Sequence, residues 1–216
     1  ADVVHGQKTG HFLDQRDNRA LVRSMAEGAS VLDVFASTGG FSLAAAAGGA
    51  TSVHLIDQSA PALETAKRNL AHNHRLGEVR RCQVHTTVGD AFQVLGDLAK
   101  RNEQYDIVIL DPPSFAGNKE AVPRALAAYA RLARLGLAVV KPGGTLIQAS
   151  GSSRVTTDEF VSTVLDAAAS AGVDVHERRR TGHAVDHPIG FVFGAYLKAV
   201  YLSVRAPSAG SRSSGW

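Results

Sequence analysis

Five short apolar runs, each followed by a segment of helical spacing, constrain the fold of this chain more than any other feature. The runs are residues 30–35 (SVLDVF), 52–57 (SVHLID), 83–90 (QVHTTVGD), 106–111 (DIVILD) and 144–150 (GTLIQAS). Runs of this length, rich in Val, Ile and Leu, read as strands covered on both faces, with 83–90 the most polar of them. Residues 41–47, 60–72, 91–101, 122–140 and 156–171 read as the helices between and after them. Thr156 and Thr157, ahead of Asp158 and Glu159, supply an N-cap for the last. The turn residues of KPGG (141–144) are expected to stop the long helix before them. Residues 174–180 and 196–205 read as two closing strands joined by a long loop. Regular alternation of this kind predicts an α/β fold, Rossmann-like, with a mostly parallel sheet between two layers of helices.

Composition narrows the setting. The 216 residues are 44% hydrophobic and 20% charged, enough for one self-sufficient domain. Residues 1–204 are expected to form it, with 1–29 as a segment covering the site and the Ser/Gly-rich 205–216 as a disordered tail. Trp216 reads as a frayed end rather than an anchor. The single cysteine, Cys82, excludes a disulfide framework and a CxxC metal site, and points to a reducing, cytoplasmic setting. It reads as a small packing residue at the start of the third strand. No apolar run reaches the ~18 residues of a transmembrane helix, and the first residues lack the apolar core of a secretory signal. The nine histidines form no pattern with partnering acids that would hold a metal, so none is expected. A net charge of +3 permits an anionic partner such as RNA without requiring one.

Three acids, Asp57, Asp90 and Asp111, close three successive strand runs. Ligands of open parallel sheets bind beyond the carboxyl ends of the strands, so these acids line up along one cleft. The segment DVFASTGGFSLAAAAGGA (33–50) links the first strand to the first helix. Gly39 and Gly40 let the backbone turn tightly and approach a ligand, with Ser37 and Thr38 beside them. Asp57 lies 17 residues after Gly40, close to the ~20 expected of an acid that holds ribose hydroxyls. FASTGGF lacks the GxGxxG spacing that serves a pyrophosphate. S-adenosylmethionine, which carries no phosphate, fits better. Asp33 or the loop backbone would face its amino group, Asp57 its ribose and Asp90 its adenine. Phe92 either flanks the adenine or faces the core.

DPPSF (111–115) follows the fourth strand. Pro112 and Pro113 stiffen the turn that presents Asp111, Ser114 lies beside it, and Phe115 is a candidate platform for a planar base. A base within structured RNA would have to be extruded to reach it. His187 is a candidate acid/base or substrate contact. His11 covers the cofactor or is structural, and His183 is expected in solvent. Arg178, Arg179 and Arg180, like Arg80 and Arg81, read either as phosphate contacts or as a solvated edge.

Four segments carry a resemblance: GQKTGHFLDQRDNR (6–19), VLDVFASTGGFS (31–42), ILDPPSFAGNK (109–119) and DHPIGFVFGAYLK (186–198). In this order, over residues 6–204, the chain resembles the large-subunit ribosomal RNA methyltransferase I family. The resemblance implies a seven-stranded class I methyltransferase sheet with its last strand antiparallel. It also implies S-adenosylmethionine as cofactor and 23S ribosomal RNA as substrate, methylated at cytosine carbon-5. It sets Lys8, Thr9, Phe12, Asp14 and Arg16 near the cofactor. Members of that family begin with a small PUA-type RNA-binding domain, which this sequence does not contain. They also use a cysteine just after the fifth strand, in a Ser-Cys-Ser context, whose thiolate activates the poorly nucleophilic carbon. This chain has Gly151 there, next to Ser150. The expected activity is therefore methylation of an RNA base whose atom stays open. Carbon-5 chemistry does not transfer intact, whereas an exocyclic amine or hydroxyl needs no covalent nucleophile, only an acceptor such as Asp111 with the Pro112 carbonyl to orient it. Two alternatives stay open: a small-molecule methyltransferase on the same fold, and a catalytically silent protein that binds the cofactor and RNA.

Overall fold

The structure, a computed structural model, describes residues 12–187, 189–191 and 194–206. Its strands are β1 (Ser30–Val34), β2 (Ser52–Asp57), β3 (Gln83–Val88), β4 (Tyr105–Leu110), β5 (Val140–Ser150), β6 (Val175–Thr181) and β7 (Lys198–Val204). The helices are α1 (Arg16–Met25), α2 (Gly40–Ala47), α3 (Ala60–His72), α4 (Gly77–Arg81), α5 (Ala91–Lys100), α6 (Val122–Leu137) and α7 (Thr157–Ser170). The strands form one seven-stranded sheet in the order β3-β2-β1-β4-β5-β7-β6. The first five run parallel, and β7 runs antiparallel to both its neighbours. This is the expected Rossmann-like class I methyltransferase architecture, last strand included.

Side chains alternate across the sheet. Leu32, Val34, Val108, Leu110 and Leu146 pack under α5, α6 and α7. Val31, Val53, Leu55, Ile107 and Ile109 pack under the layer of α1 to α4. Burial on both faces is why these strands read as near-continuous apolar runs. Three helices start where a side chain caps them: Ser59 accepts from the Ala62 N–H, Asp90 from Gln93, and Thr156 closes a reciprocal capping box with Glu159.

The structure departs from the sequence reading at four places. The long helix stops at Leu137, and KPGG lies inside β5 rather than in a turn before it: Val140 already pairs with Tyr105, and the register shifts before Thr145. Lys141 holds that irregularity by donating to Asp106 Oδ2 (2.8 Å) and Ser30 Oγ (3.1 Å). Helix α4 arises where no element was expected. So does α1, whose sequence RDNRALVRSM is so polar that its apolar stripe is narrow, with only Asn18 and Val22 buried within it. It docks because Gly48 has no side chain. A Cβ there would lie 2.0 Å from the Arg23 carbonyl oxygen, so α1 and the end of α2 touch backbone to backbone. Finally, Arg205 is still tied to Asp174 through its backbone N–H and its guanidinium. Residues 207–216, the rest of the expected tail and Trp216 among them, lie outside the described residues, as does the start of the expected covering segment. Among the described residues no helix is long and apolar enough to cross a membrane.

Candidate cofactor and acceptor site

The parallel strands end on one side of the sheet, and the loops leaving those ends enclose a cleft of about 640 Å³. Phe35 to Thr38 succeed β1, Asp57 and Gln58 end β2, Asp111 to Ser114 succeed β4, and Gly151 succeeds β5. The opposite wall comes from the segment leading into α1 (Phe12, Asp14, Gln15, with Arg19 behind) and from Tyr196 and Leu197 ahead of β7.

The loop after β1 is strained. Phe35 (φ 65°) and Ser37 (φ 48°) both occupy the left-handed region, costly for residues with a Cβ and characteristic of functional loops. Asp57 offsets part of that cost: its Oδ2 accepts from the Ser37 N–H and its Oδ1 from the Ser59 N–H, both at 2.8 Å. The remaining lone pairs of a carboxylate that lines the cleft suit a ribose diol. Gly39 works differently from the expectation. Its φ is +77°, and a Cβ there would sit 2.8 Å from the Ala66 Cβ, so its smallness serves contact with α3 rather than with a ligand. Gly40 is the glycine on the cleft wall.

Asp33 does not reach the cleft. It is buried, and its Oδ2 accepts from the Ser42 N–H (3.0 Å) and hydroxyl (2.7 Å), pinning the first turn of α2 to β1. Burial, against those two bonds, pushes its carboxyl up to about 6, with a further push from Asp57.

Asp111 is the most perturbed acid of the cleft. Burial pushes it up to about 7, and the charge of Asp14 adds to the push. A hydrogen bond from Gln15 Nε2 to Oδ1 (2.9 Å) and the nearby Arg19 guanidinium act the other way and do not win. A carboxyl that ionises near neutrality can take and release a proton under working conditions. Asp14 accepts from the Tyr196 hydroxyl (2.9 Å), and burial with that bond pushes the phenol up to about 12. Arg19 donates to the Phe12 carbonyl (2.7 Å).

Of the other expected site residues, Phe12, Asp14, Ser37, Thr38, Asp57, Asp111, Pro112, Pro113, Ser114 and Gly151 all line the cleft. Lys8, Thr9 and His11 lie outside the described residues. Arg16 points away, paired with Asp17 and Asp186 in the exposed rim. Asp90 is an exposed helix cap, not a cleft wall. Phe92 and Phe115 face the core: Phe115 packs on Tyr129 (5.0 Å between ring centroids) and Phe92 (6.4 Å), so it offers no free platform for a base. Ser150 is buried and donates to the Tyr129 hydroxyl (2.8 Å). His187 stacks on His183 (4.3 Å) beside Tyr196, outside the cleft walls, and His183 is half-buried, accepting from the Leu197 N–H. Arg178 and Arg179 line a separate cavity of about 710 Å³ at the amino-terminal end of the strands. Arg180 is engaged by Glu177 and Asp158. Arg178 and Arg179 thus stand away from the strand-end cleft, and Arg180 lies on the exposed edge strand β6.

Gln15, Arg19, Phe35, Tyr196 and Leu197 also line the cleft, though the sequence singles out none of them. Gln15 and Arg19 stand within the GQKTGHFLDQRDNR motif, the one signal that could have found them. Lys198 is a further case: it is buried and donates to the carbonyls of Ser152 and Val155, holding the loop that carries Gly151. Burial lowers its ammonium to about 8.

A model of the family described as S-adenosylmethionine-dependent methyltransferase matches residues 1–192. The chain belongs to this family of S-adenosylmethionine-dependent methyltransferases. It is 43% identical over 204 residues to a ribosomal RNA large subunit methyltransferase of Deinococcus radiodurans, covering 94% of this chain and 49% of that protein. It is 40% identical over 205 residues to ribosomal RNA large subunit methyltransferase I of Shewanella amazonensis, covering 94% and 51%. The chain therefore spans about half the length of the curated relatives it matches. A methyltransferase solved as its complex with SAH superposes with a TM-score of 0.75 at 28% identity, over 92% of this chain and 51% of that one. The cofactor of the family suits the donor set of this methyltransferase's cleft: a strand-end acid for a diol and a tight loop of backbone amides. Among the described residues no group of three or more His, Cys, Asp or Glu could hold a metal ion.

Proposed function

We propose that this chain is the catalytic unit of an S-adenosylmethionine-dependent RNA methyltransferase that modifies a ribosomal RNA base at an exocyclic amine or hydroxyl. Two relatives named as ribosomal RNA large subunit methyltransferases, alike over nearly all of this chain, support the substrate class. The observation that carries the choice of atom is the pairing of Asp111 with Gly151 on one cleft. There is a carboxyl that ionises near neutrality and no thiol beside it. The only thiol, Cys82, is buried at the end of α4, and burial pushes it up to about 11, far from a reactive thiolate.

When bound, the cofactor supplies an electrophilic methyl group. Asp57 and the loop from Phe35 to Thr38 hold its ribose end, and Phe12 and Asp14 close the other wall. Asp111 accepts a hydrogen bond from the acceptor N–H or O–H and so aims its lone pair at the methyl carbon. With the cofactor bound, transfer of its methyl from sulfur to the acceptor nitrogen or oxygen would leave a proton on that atom, which Asp111 would take and pass to water. Catalysis is mainly positioning, which requires water to be kept from the line of transfer. The setting is the cytoplasm, as a lone buried cysteine suits a reducing compartment.

The test is transfer of labelled methyl from S-adenosylmethionine to unmodified 23S ribosomal RNA, with nucleoside mass spectrometry of the product. A labelled N- or O-methyl nucleoside is expected. Labelled 5-methylcytosine would overturn the thiol-free chemistry. No label with the cofactor still bound would overturn RNA as acceptor, leaving a small-molecule methyltransferase or a silent binder.

A further inference from the structure

A buried polar chain runs from Asp111 to the far strands of the sheet. Gln15 Nε2 donates to Asp111 Oδ1 (2.9 Å), and Asn18 Nδ2 donates to Gln15 Oε1 (2.6 Å). Asn18 Oδ1 in turn accepts from the Thr181 hydroxyl of β6 (2.6 Å) and the Tyr201 hydroxyl of β7 (3.0 Å). Gln15 and Asn18 are 3% and 1% exposed, so neither amide has water as an alternative partner.

An amide has a donor end and an acceptor end. Thr181 and Tyr201 donate to the oxygen of Asn18, and its nitrogen faces Gln15. A hydroxyl can also accept, and the group in the chain that only accepts is the ionised Asp111 at its other end. Gln15 then offers its oxygen to Asn18 and its nitrogen to Asp111. The direction of the whole chain thus ends in a donor aimed at one carboxylate oxygen, an arrangement that favours the charged form. The reversed direction would aim Gln15 Oε1 at Asp111, tolerable only while Asp111 keeps a proton. Among the described residues, few other groups bear on this carboxyl. Asp14 and Arg19 face it from the α1 side and Asp33 from β1, while its charge is felt by Tyr129 of α6 and Tyr201 of β7. Of these, Asp14 and Asp33 oppose its ionisation and Arg19 supports it.

We propose that Asn18, braced by Thr181 and Tyr201, is a positioning residue that holds Gln15 with its donor toward Asp111 and thereby favours the charged form of that carboxyl. The role in transfer rests on Asp111 being the proton acceptor proposed above; the effect on its ionisation does not. No contact with substrate or cofactor is involved, so Asn18 acts only through Gln15. The chain also makes the far edge of the sheet part of the site, since one brace comes from each of its two outermost strands.

The experiment is carboxyl carbon NMR of the whole chain across pH, with the Asp111 signal assigned by its loss in Asp111→Asn. Two variants are compared. Asn18→Asp can only accept, so Gln15 must turn its nitrogen to residue 18 and its oxygen to Asp111. The Thr181→Val/Tyr201→Phe double variant removes both braces and adds no charge. An upward move of the Asp111 midpoint by about one pH unit is expected in Asn18→Asp, about a tenfold gain in proton affinity. A smaller move in the same direction is expected in the double variant. Thermal melting and calorimetric cofactor affinity check that each variant is folded. A midpoint that stays put in both, or that moves in Asn18→Asp alone as a plain charge effect, overturns the proposal. Should Asn18→Asp fail to fold, the double variant decides by itself. Because the signal is read without substrate, a failure of the RNA reading leaves this test standing. Where transfer is active, the acid limb of the kcat–pH profile follows the same shift, with KM for the cofactor unchanged.

Discussion

Two carboxylates at the ends of β2 and β4, on either side of β1, do different work because their surroundings differ. Asp57 keeps two backbone N–H donors and holds a loop, whereas Asp111 has one amide donor and an acidic neighbour. Asp57→Ala is expected to abolish calorimetric cofactor binding. Asp111→Asn is expected to bind cofactor normally and lose methyl transfer by about 100-fold or more. Binding that survives the first change, or turnover that survives the second, would refute the division. Both residues were legible as strand-end acids. Asp33 was legible as an acid but not as a structural one: its partner, Ser42, is nine residues away, across a turn whose shape no local pattern reveals.

The β1–α2 connection shows how an element sets the site. Two non-glycine residues in the left-handed region and one glycine at +77° give a loop that is stable only because Asp57 and α3 hold it from both sides. Gly39→Ala would add both the backbone strain and a 2.8 Å clash with Ala66. A loss of about 1–3 kcal/mol of stability is expected, together with weaker cofactor binding. Denaturant melts and calorimetry measure both, and an unchanged Ala variant would show that the loop relaxes freely. Helix α1 makes the complementary point. Its polar sequence gives little sign of a helix, yet it brings Gln15 and Arg19 to the cleft, because Gly48 lets it sit directly on α2.

At the scale of the molecule, the buried acids tie stability to pH. Asp33 and Asp111 are pushed up to about 6 and about 7 in the fold, from about 3.9 in an unfolded chain. The folded state therefore holds protons that the unfolded state has released. Their favourable contribution is full below about pH 4 and is lost as pH rises through 6 and 7. Melting temperature should fall between pH 5 and pH 7.5. Asp111→Asn, which needs no ionisation, should fall less and be more stable than the parent at pH 8 by a few degrees. Scanning calorimetry across that range checks it, and a parallel fall in both proteins would remove Asp111 from the account. The same buried carboxyl that suits proton transfer thus costs stability, a common exchange at working sites.

The order of residues was enough to settle the architecture and the face on which the site lies. Apolar runs buried on both sides admit little but a parallel sheet with helices on each face, and acids ending those runs mark the edge where ligands bind. The lack of a thiol at Gly151 was equally plain, since it is a matter of identity alone. Which side chains act was settled by packing in three dimensions. Packing turned Asp33, Ser150 and Phe115 inward, sent Arg178 and Arg179 to another cavity, and drew Gln15, Arg19 and Tyr196 onto the cleft. Burial patterns follow local period, whereas hydrogen-bond partners and the ionisation of Asp111 depend on groups up to 183 residues apart in the chain, as Asn18 and Tyr201 are. Folding alone brings such groups within about 3 Å of one another.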